Sequence, residues 1–550
     1  MSPATSCLSA LLGVGSHAVY FIKGEHHLYA TLYAQLLLLG PCALVSVLVF
    51  SGDQPTRAVC LSLLSNGLCY LVGLFTSILT YRLVLHPLRS YPGPLGARIS
   101  DLWFSSQIAP ARRAFETIQQ LHQRYGPFVR IGPSALAITH PEAVETLFGS
   151  KSKCIKGDWY DGSASIFVTL HSTRQKEVHA PWRRLWSGAF GAQQLRGYEQ
   201  RIAQVREKLI ARFKDSAKTQ EALDVTELFN YFNFDVMSDL AFGHSLDTLD
   251  DTSQRWTIET MRKGSSFLEL FLPAWLFTIL VSIPGADNDW LRFARLCRQM
   301  IERRIKNESQ KPDIMDYISA PWKGKQITPE GYKALIGDAV LVIVAGSETS
   351  AVVMSVLLYQ FAKDPSQVEK LRKELESFTT DGRVDYAKIQ NLDHLNGVIN
   401  EAMRLFPPVP SLVPRLTPRE GIEIGGRHVP VNTTVVCAQY VLNRTESLYQ
   451  QADRFIPERW YSRPEMVADK SVFIPFSIGP YNCIGKSLAL QNIRNTIAEL
   501  VTRFDFSPGP NNDMDLYEKG ARDAFTLQPA RLRLNISPAK PTNEKLQTSD

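Results

Sequence analysis

One window of the chain carries residue types suited to holding a metal: Pro475-Phe476-Ser477-Ile478-Gly479-Pro480-Tyr481-Asn482-Cys483-Ile484-Gly485-Lys486. An apolar run enters a loop with two glycines and a proline, and a cysteine follows. A helix is expected to start at about Ile484. A thiolate in that place is favoured by the positive end of the helix dipole and by free backbone N–H groups. Gly479 and Gly485 withdraw side chains on either side of it, so a large flat body could approach, and Phe476 could pack against that body. Taken alone, the window also reads as a glycine-rich turn around a buried thiol. The other seven cysteines, Cys7, Cys42, Cys60, Cys69, Cys154, Cys297 and Cys437, form no C-x-x-C pair and read as small buried apolar residues.

Three more segments carry usable groups. In Ala345-Gly346-Ser347-Glu348-Thr349-Ser350, Gly346 gives up a side chain in mid-helix, at a cost of about 1 kcal/mol. Thr349 can return its hydroxyl to the carbonyl four residues back and open the helix locally. Together they could form a groove for O2, with Glu348 and Thr349 able to pass protons; a plain helix-packing seam has the same composition. Glu401 and Arg404 stand at i, i+3, and such pairs are usually solvated surface pairs. Arg459, in Phe455-Ile456-Pro457-Glu458-Arg459-Trp460, lies 24 residues before Cys483.

These pieces, in this order, resemble the cytochrome P-450 superfamily. Phe476-x-x-Gly479-x-x-x-Cys483-x-Gly485 is similar to its cysteine-ligand loop, in which a thiolate holds haem iron. The resemblance covers roughly residues 85–535. It implies haem b (iron protoporphyrin IX), with Cys483 as axial ligand and Phe476, Gly479 and Gly485 around it. It implies Glu348 and Thr349 as the catalytic proton relay, and Glu401, Arg404 and Arg459 as a buried structural clamp. Arg415 and Arg183 resemble propionate-binding arginines, and His179 stands where many relatives have Trp. Tyr481 departs from the pattern: relatives commonly carry Arg or His there, facing a propionate. Arg415, Arg183 and His179 are therefore expected to carry the propionates.

The implied activity is a monooxygenase that hydroxylates or otherwise oxidises a lipophilic small molecule. Uncharged amino-terminal runs with a Gly-Pro-Tyr-x-Cys loop resemble microsomal enzymes of filamentous fungi, which tailor terpenoids, alkaloids or polyketides. No G-x-G-x-x-G opens a βαβ unit, so electrons must come from a partner. By resemblance this is an NADPH-dependent flavoprotein reductase, with cytochrome b5 as a second donor, docking near Lys486 and Arg494. A haem-thiolate isomerase or dehydratase without O2, and a non-enzymatic membrane haem protein, are the other readings.

Long, stiff elements must position such groups. Thr328-Pro329-Glu330 combines a capping hydroxyl, a first-turn proline and an acid near the dipole's positive end. The helix it starts should run to Ala362, roughly 50 Å. Its middle, Ala339 to Ala345, is apolar all round, so it crosses the interior. Residues 110–125 and 195–214 read as amphipathic helices, and 421–440 as a small sheet turning at Gly425-Gly426. The expected fold is mainly α with small β sheets, the cytochrome P-450 fold, preceded by transmembrane helices. The apolar pocket should draw walls from 159–170, Leu341 to Ala345, Ser411 to Val413 and Ala524-Phe525-Thr526. The greasy stretch 267–280 is either core or an entrance dipping into the bilayer.

Residues 1–22, 28–50 and 58–81 are uncharged side-chain runs, and the second would reach roughly 35 Å as a helix, enough to cross a bilayer. A cleaved signal peptide competes for the first, which lacks a basic start. The domain plan is therefore an anchor over 1–84 with one to three spans, a Pro/Gly hinge over 85–96, a catalytic domain over 97–536 and a disordered tail over 537–550. Arg82, Arg89 and Arg98 after the last run lead us to expect the body in the cytosol, and the resemblance to microsomal enzymes implies the endoplasmic reticulum membrane. Sixty Lys+Arg against 54 Asp+Glu give a net charge of only +6 over 550 residues, which does not suggest nucleic-acid binding.

Overall fold

The computed structural model describes residues 3–540 except 52–55, 165, 287, 307–311, 381–382, 412 and 512. The polar break after Ser51, Leu412 of the expected pocket wall and residues 541–550 of the expected tail therefore fall wholly or partly outside the described residues. The body is mainly helical with small sheets. The largest has five strands and joins Phe128–Gly132, Ala135–Ile138, Thr434–Val436, Arg415–Leu416 and Ile155–Lys156 in that order.

The long helix runs Pro329–Lys363, and the Thr328 hydroxyl accepts the Gly331 N–H at 3.1 Å. Helices Ala114–Tyr125 and Ala192–Thr219 occupy the two amphipathic segments. Strands Ile422–Ile424 and Arg427–Val429 pair across Gly425 and Gly426, both at positive φ as this two-residue turn requires.

Three amino-terminal stretches, Pro3–Phe21, His26–Val47 and Arg57–Leu85, are long and apolar enough to cross a membrane and suit an anchor. Pro329–Lys363 also passes on length and composition, but it is mostly buried inside the body. The first and third stretches touch backbone to backbone. A Cβ on Gly13 would collide with Tyr70 O, and one on Gly73 with Ala10 O. This is the small-residue contact by which apolar helices associate in lipid.

Three expectations need correction. Cys154, Cys297 and Cys437 are buried, but Cys7, Cys42 and Cys60 lie exposed on the anchor helices, whose surroundings are apolar for a different reason. The segment read as a Pro/Gly hinge between anchor and body is bonded to the body itself. Arg130 N donates to Pro92 O at 2.7 Å, Tyr91 Oη donates to His428 O at 2.8 Å, and Leu88 is fully buried. The last strand, Arg533–Pro538, takes in two residues assigned to the tail, because Ser537 and Pro538 pair with Asp505 and Phe504.

Glu401, Arg404 and Arg459 meet in the core with fully buried side chains. Arg404 donates to Glu401 Oε2 from Nε at 2.9 Å and to Oε1 from Nη2 at 2.8 Å, and Arg459 Nε reaches Oε1 at 3.0 Å. Trp460 Nε1 and Ile456 N complete the carboxylate's shell at 3.0 and 2.9 Å. Arg404 also donates to the carbonyls of Asn443 and Ala452, so one residue ties helix Asp393–Leu405 to the loop leading to Arg459. Removing the carboxylate strands two buried guanidinium groups. Glu401→Ala should lose about 3–5 kcal/mol of stability, read as a lowered thermal midpoint, and a midpoint equal to the parent's would contradict this account.

Candidate functional site

The Cys483 loop is fixed before the helix begins. Ser477 and Gly479 both adopt positive φ, and a Cβ on Gly479 would collide with Phe148 O. Cys483 N donates to Phe476 O at 2.8 Å, and helix Lys486–Arg503 starts after Gly485, two residues later than expected. Cys483 is exposed, with Arg183 and Lys486 as the nearby cations. Burial pushes its thiol up, while the Gly485 and Lys486 N–H groups and the Arg183 and Lys486 charges pull against that. A Cβ on Gly485 would stand 3.9 Å from Cys483 Sγ and 4.0 Å from Phe190, so this glycine lies next to the sulfur. Phe476 is half-buried against the core.

Arg183 differs from expectation. Its two terminal nitrogens donate to Asn482 O at 2.7 Å and Asn482 Oδ1 at 2.6 Å, so it holds the cysteine loop rather than pointing free at an anion. Tyr481 donates to Arg174 O at 3.3 Å. Its ring is met by Lys156 Nζ at 4.7 Å, by Arg415 at 5.2 Å and by the His179 ring edge-on at 4.7 Å. A neutral aromatic face thus receives cations where an Arg or His was expected.

Lys156 was missed by sequence reasoning, and it changes the picture. It lies directly opposite Arg415 across two antiparallel strands. Both are buried, at 4% and 2% exposure, and like charges so placed repel. Among the described residues no carboxylate pairs with either. Lys156 donates to Leu170 O and His171 O, and Arg415 to its neighbour Pro414 O, while Arg415 Nε has no partner. Burial, then Arg415 and Arg183, push the Lys156 ammonium down to about 7. Burial, then Lys156, Arg183 and Arg415, push His179 down to about 4, and burial, then Lys156 and Arg415, push His171 down to about 3. The donor set is that of a dianion's site, and haem with its two propionates fits it. Nothing in the sequence around Lys156 signals this, because only strand register sets it against Arg415.

On the long helix, Thr349 Oγ1 donates to Ala345 O at 2.8 Å. Ala345 is exposed in mid-helix, although Val342, Ile343, Ser347 and Glu348 around it are buried. This helix packs against Lys486–Arg503, so the open face of Ala345 and the open side of Cys483 lie on neighbouring elements. Glu348 does not join Thr349. It is buried elsewhere, with Oε2 accepting from Thr526 Oγ1 at 2.8 Å, and Gln528 donates to that hydroxyl at 3.0 Å. Burial pushes its carboxyl up, and a polar cavity of about 540 Å³ lined by Glu348, Asn230, Arg262 and Gln528 opens beside it. A Cβ on Gly346 would press on the Met237 side chain at 2.6 Å, so its bareness also serves helix packing.

Several expected pocket walls converge. Trp159 stacks on Phe525 with ring centres 5.1 Å apart and 12° between planes, and Phe525 holds a positive φ at its hairpin tip. Ser411 Oγ donates to the buried Asp523 carboxylate beside that hairpin. Asp338 on the long helix accepts from Leu170 N at 3.1 Å, Trp182 Nε1 at 2.6 Å and Trp186 Nε1 at 3.1 Å, and burial pushes it up to about 7. The greasy stretch becomes a left-handed Phe271 and helix Ala274–Val281. That helix packs on span Ala30–Ser51 and on Trp159–Ala164. Arg494, expected on a docking face, is half-buried and donates to Asn396 Oδ1.

Comparison with known proteins agrees with this architecture. The family model described as cytochrome P-450 matches residues 94–536. The cytochrome P-450 monooxygenase notG' of Aspergillus versicolor is 40% identical over 525 residues, covering 94% of this chain and 95% of that protein. The tryprostatin B 6-hydroxylase of Neosartorya fischeri is 40% identical over 504 residues, covering 90% and 91%. The monooxygenase phqL of Penicillium fellutanum is 31% identical over 529 residues, covering 95% and 93%. A matching domain over most of the chain, on a helical body with a cysteine loop, means that the chain belongs to the cytochrome P-450 family and is a monooxygenase.

Proposed function

We propose that this enzyme inserts oxygen into a lipophilic secondary metabolite, a terpenoid, alkaloid or polyketide, with haem b held by Cys483. The observation that carries the reading is the exposed Cys483 thiol on a loop whose Tyr481 ring meets Lys156 and Arg415, two buried basic side chains with no carboxylate partner among the described residues. Bound haem iron supplies the activation of O2 and its transfer to a C–H bond, with electrons from a redox partner. Cys483 would supply the sulfur that holds the iron, and Arg183 keeps its loop in place through Asn482. Lys156 and Arg415, with His179 beside them, would hold the propionates, and Phe476 and Gly485 would lie against the ring.

Thr349 offers its hydroxyl on the open side of the long helix. Glu348 receives protons from the polar cavity behind it and holds them near Thr526. Its carboxyl must leave Thr526, or hand on through water, to serve Thr349. Relatives bearing hydroxylase and monooxygenase names support hydroxylation as the reaction type.

The partners are an NADPH-dependent flavoprotein reductase, with cytochrome b5 as a second donor, reaching the exposed Lys486 side. The seat is the endoplasmic reticulum membrane, with the body in the cytosol. Three spans put the turn at Glu25–Tyr29 and the body on the same side, in keeping with their contacts and with the basic residues after the third span. The greasy helix Ala274–Val281, beside span Ala30–Ser51, forms the bilayer-side entrance for a lipophile.

Two measurements test this. Membranes holding the chain and a reductase, fed candidate lipophiles under isotope-labelled O2, should yield a product carrying one labelled oxygen and only when NADPH is present. A product formed without O2 and NADPH would favour the isomerase or dehydratase reading. Separately, Lys156→Met and Arg415→Ala should each hasten loss of haem to apomyoglobin by about tenfold, the loss of one charge-assisted bond. Loss at the parent's rate would remove these residues from the propionate set.

A further inference from the structure

The turn between the first two membrane stretches is bonded to the catalytic body. Glu25 Oε1 accepts from Arg174 Nη2 at 2.6 Å, and His27 Nε2 lies 2.8 Å from Asp161 Oδ2. Arg174, only 8% exposed, also donates to Asp161 and, through Nε, to Lys156 O at 3.0 Å. Asp161 belongs to the short helix Trp159–Ala164, whose first residue stacks on Phe525. On the same helix, a Cβ on Gly162 would meet Phe277 at 3.3 Å. Phe277 sits on helix Ala274–Val281, which leans on span Ala30–Ser51. The Arg174 carbonyl receives the Tyr481 hydroxyl from the cysteine loop. One arginine therefore links the anchor, the Trp159 wall and the loop that carries Cys483.

We propose that this turn is a strap that sets the substrate wall: Glu25 and His27, acting through Arg174 and Asp161, are positioning residues that hold Trp159 against Phe525. The proposal rests on the reading of Trp159 and Phe525 as part of the substrate pocket. Glu25, His27 and Asp161 also stand within 4.8 Å of one another, as cation ligands would. Arg174 already lies between both carboxylates, so a protein cation does that work and no metal is invoked. The strap acts at a distance from the reacting atoms. Neither Glu25 nor His27 reaches the cysteine loop except through Arg174. Its loss should thus free the wall and leave the ligand side of the haem unchanged.

The test compares the full-length, haem-loaded chain in lipid nanodiscs with the double variant Glu25→Gln, His27→Gln. Hydrogen–deuterium exchange should rise across residues 157–175 in the variant. Miconazole, a bulky imidazole that must press on the pocket wall, should bind about tenfold more weakly by its Soret shift, while plain imidazole should change by less than about twofold. Glu25→Asp should recover most of the miconazole affinity. Unchanged exchange with unchanged miconazole binding would overturn the strap. Equal weakening of both ligands would overturn it too, since the damage would then lie at the haem. If imidazole shifts no Soret band even in the parent chain, the haem reading fails instead, and the exchange arm alone decides the strap.

Discussion

The placement of one sulfur governs the rest of the molecule. Cys483 stands at the end of a loop closed by its own N–H on Phe476 O, at the start of an 18-residue helix. Two residues at positive φ make the loop possible, and Arg183 grips it from a different helix through Asn482. Burial disfavours a thiolate there, and the amide N–H groups at the helix start, with two cations, oppose that penalty. Everything proposed for the chemistry needs this sulfur to stay in one place with one side clear.

The charge pattern around it points the same way. Lys156 and Arg415 face each other across strands in the core, an arrangement a folded chain does not keep without some return. Tyr481 softens it with a ring, and carbonyls accept hydrogen bonds from the ammonium, but no described acid neutralises either charge. The Glu401 cluster is the contrasting case. There two buried arginines share one carboxylate and several carbonyls, and the group is self-sufficient. One cluster has its counter-charge within the protein; for the other no carboxylate is found among the described residues, which is what the proposed propionate role draws on.

What could be read from sequence was local. The Thr328-Pro329 cap, the Gly425-Gly426 turn and the Cys483 loop are short strings whose physical chemistry is contained in a few neighbours. Contacts between distant segments were legible only where the family resemblance supplied them, as for Glu401, Arg404 and Arg459. Glu348 and Thr349 are adjacent in the chain, yet the helix points one carboxyl toward Thr526 and turns the other side chain back on Ala345. The bare side of Gly346 is met by Met237 from a neighbouring helix, a contact no local string announces. Lys156 looked like any lysine until strand register put it against Arg415. The ties between Glu25, His27 and the body cross more than a hundred residues, and no spacing rule announces them.

The central claim is that the Cys483 sulfur binds haem iron as a thiolate. Membranes carrying the full chain, reduced with dithionite and bubbled with carbon monoxide, report on it directly. The account predicts a difference band at the long-wavelength Soret position given by a thiolate opposite carbon monoxide, and its loss in Cys483→Ala. A carbonyl band at only the shorter wavelength of a neutral ligand, in freshly prepared membranes with haem demonstrably bound, would contradict it.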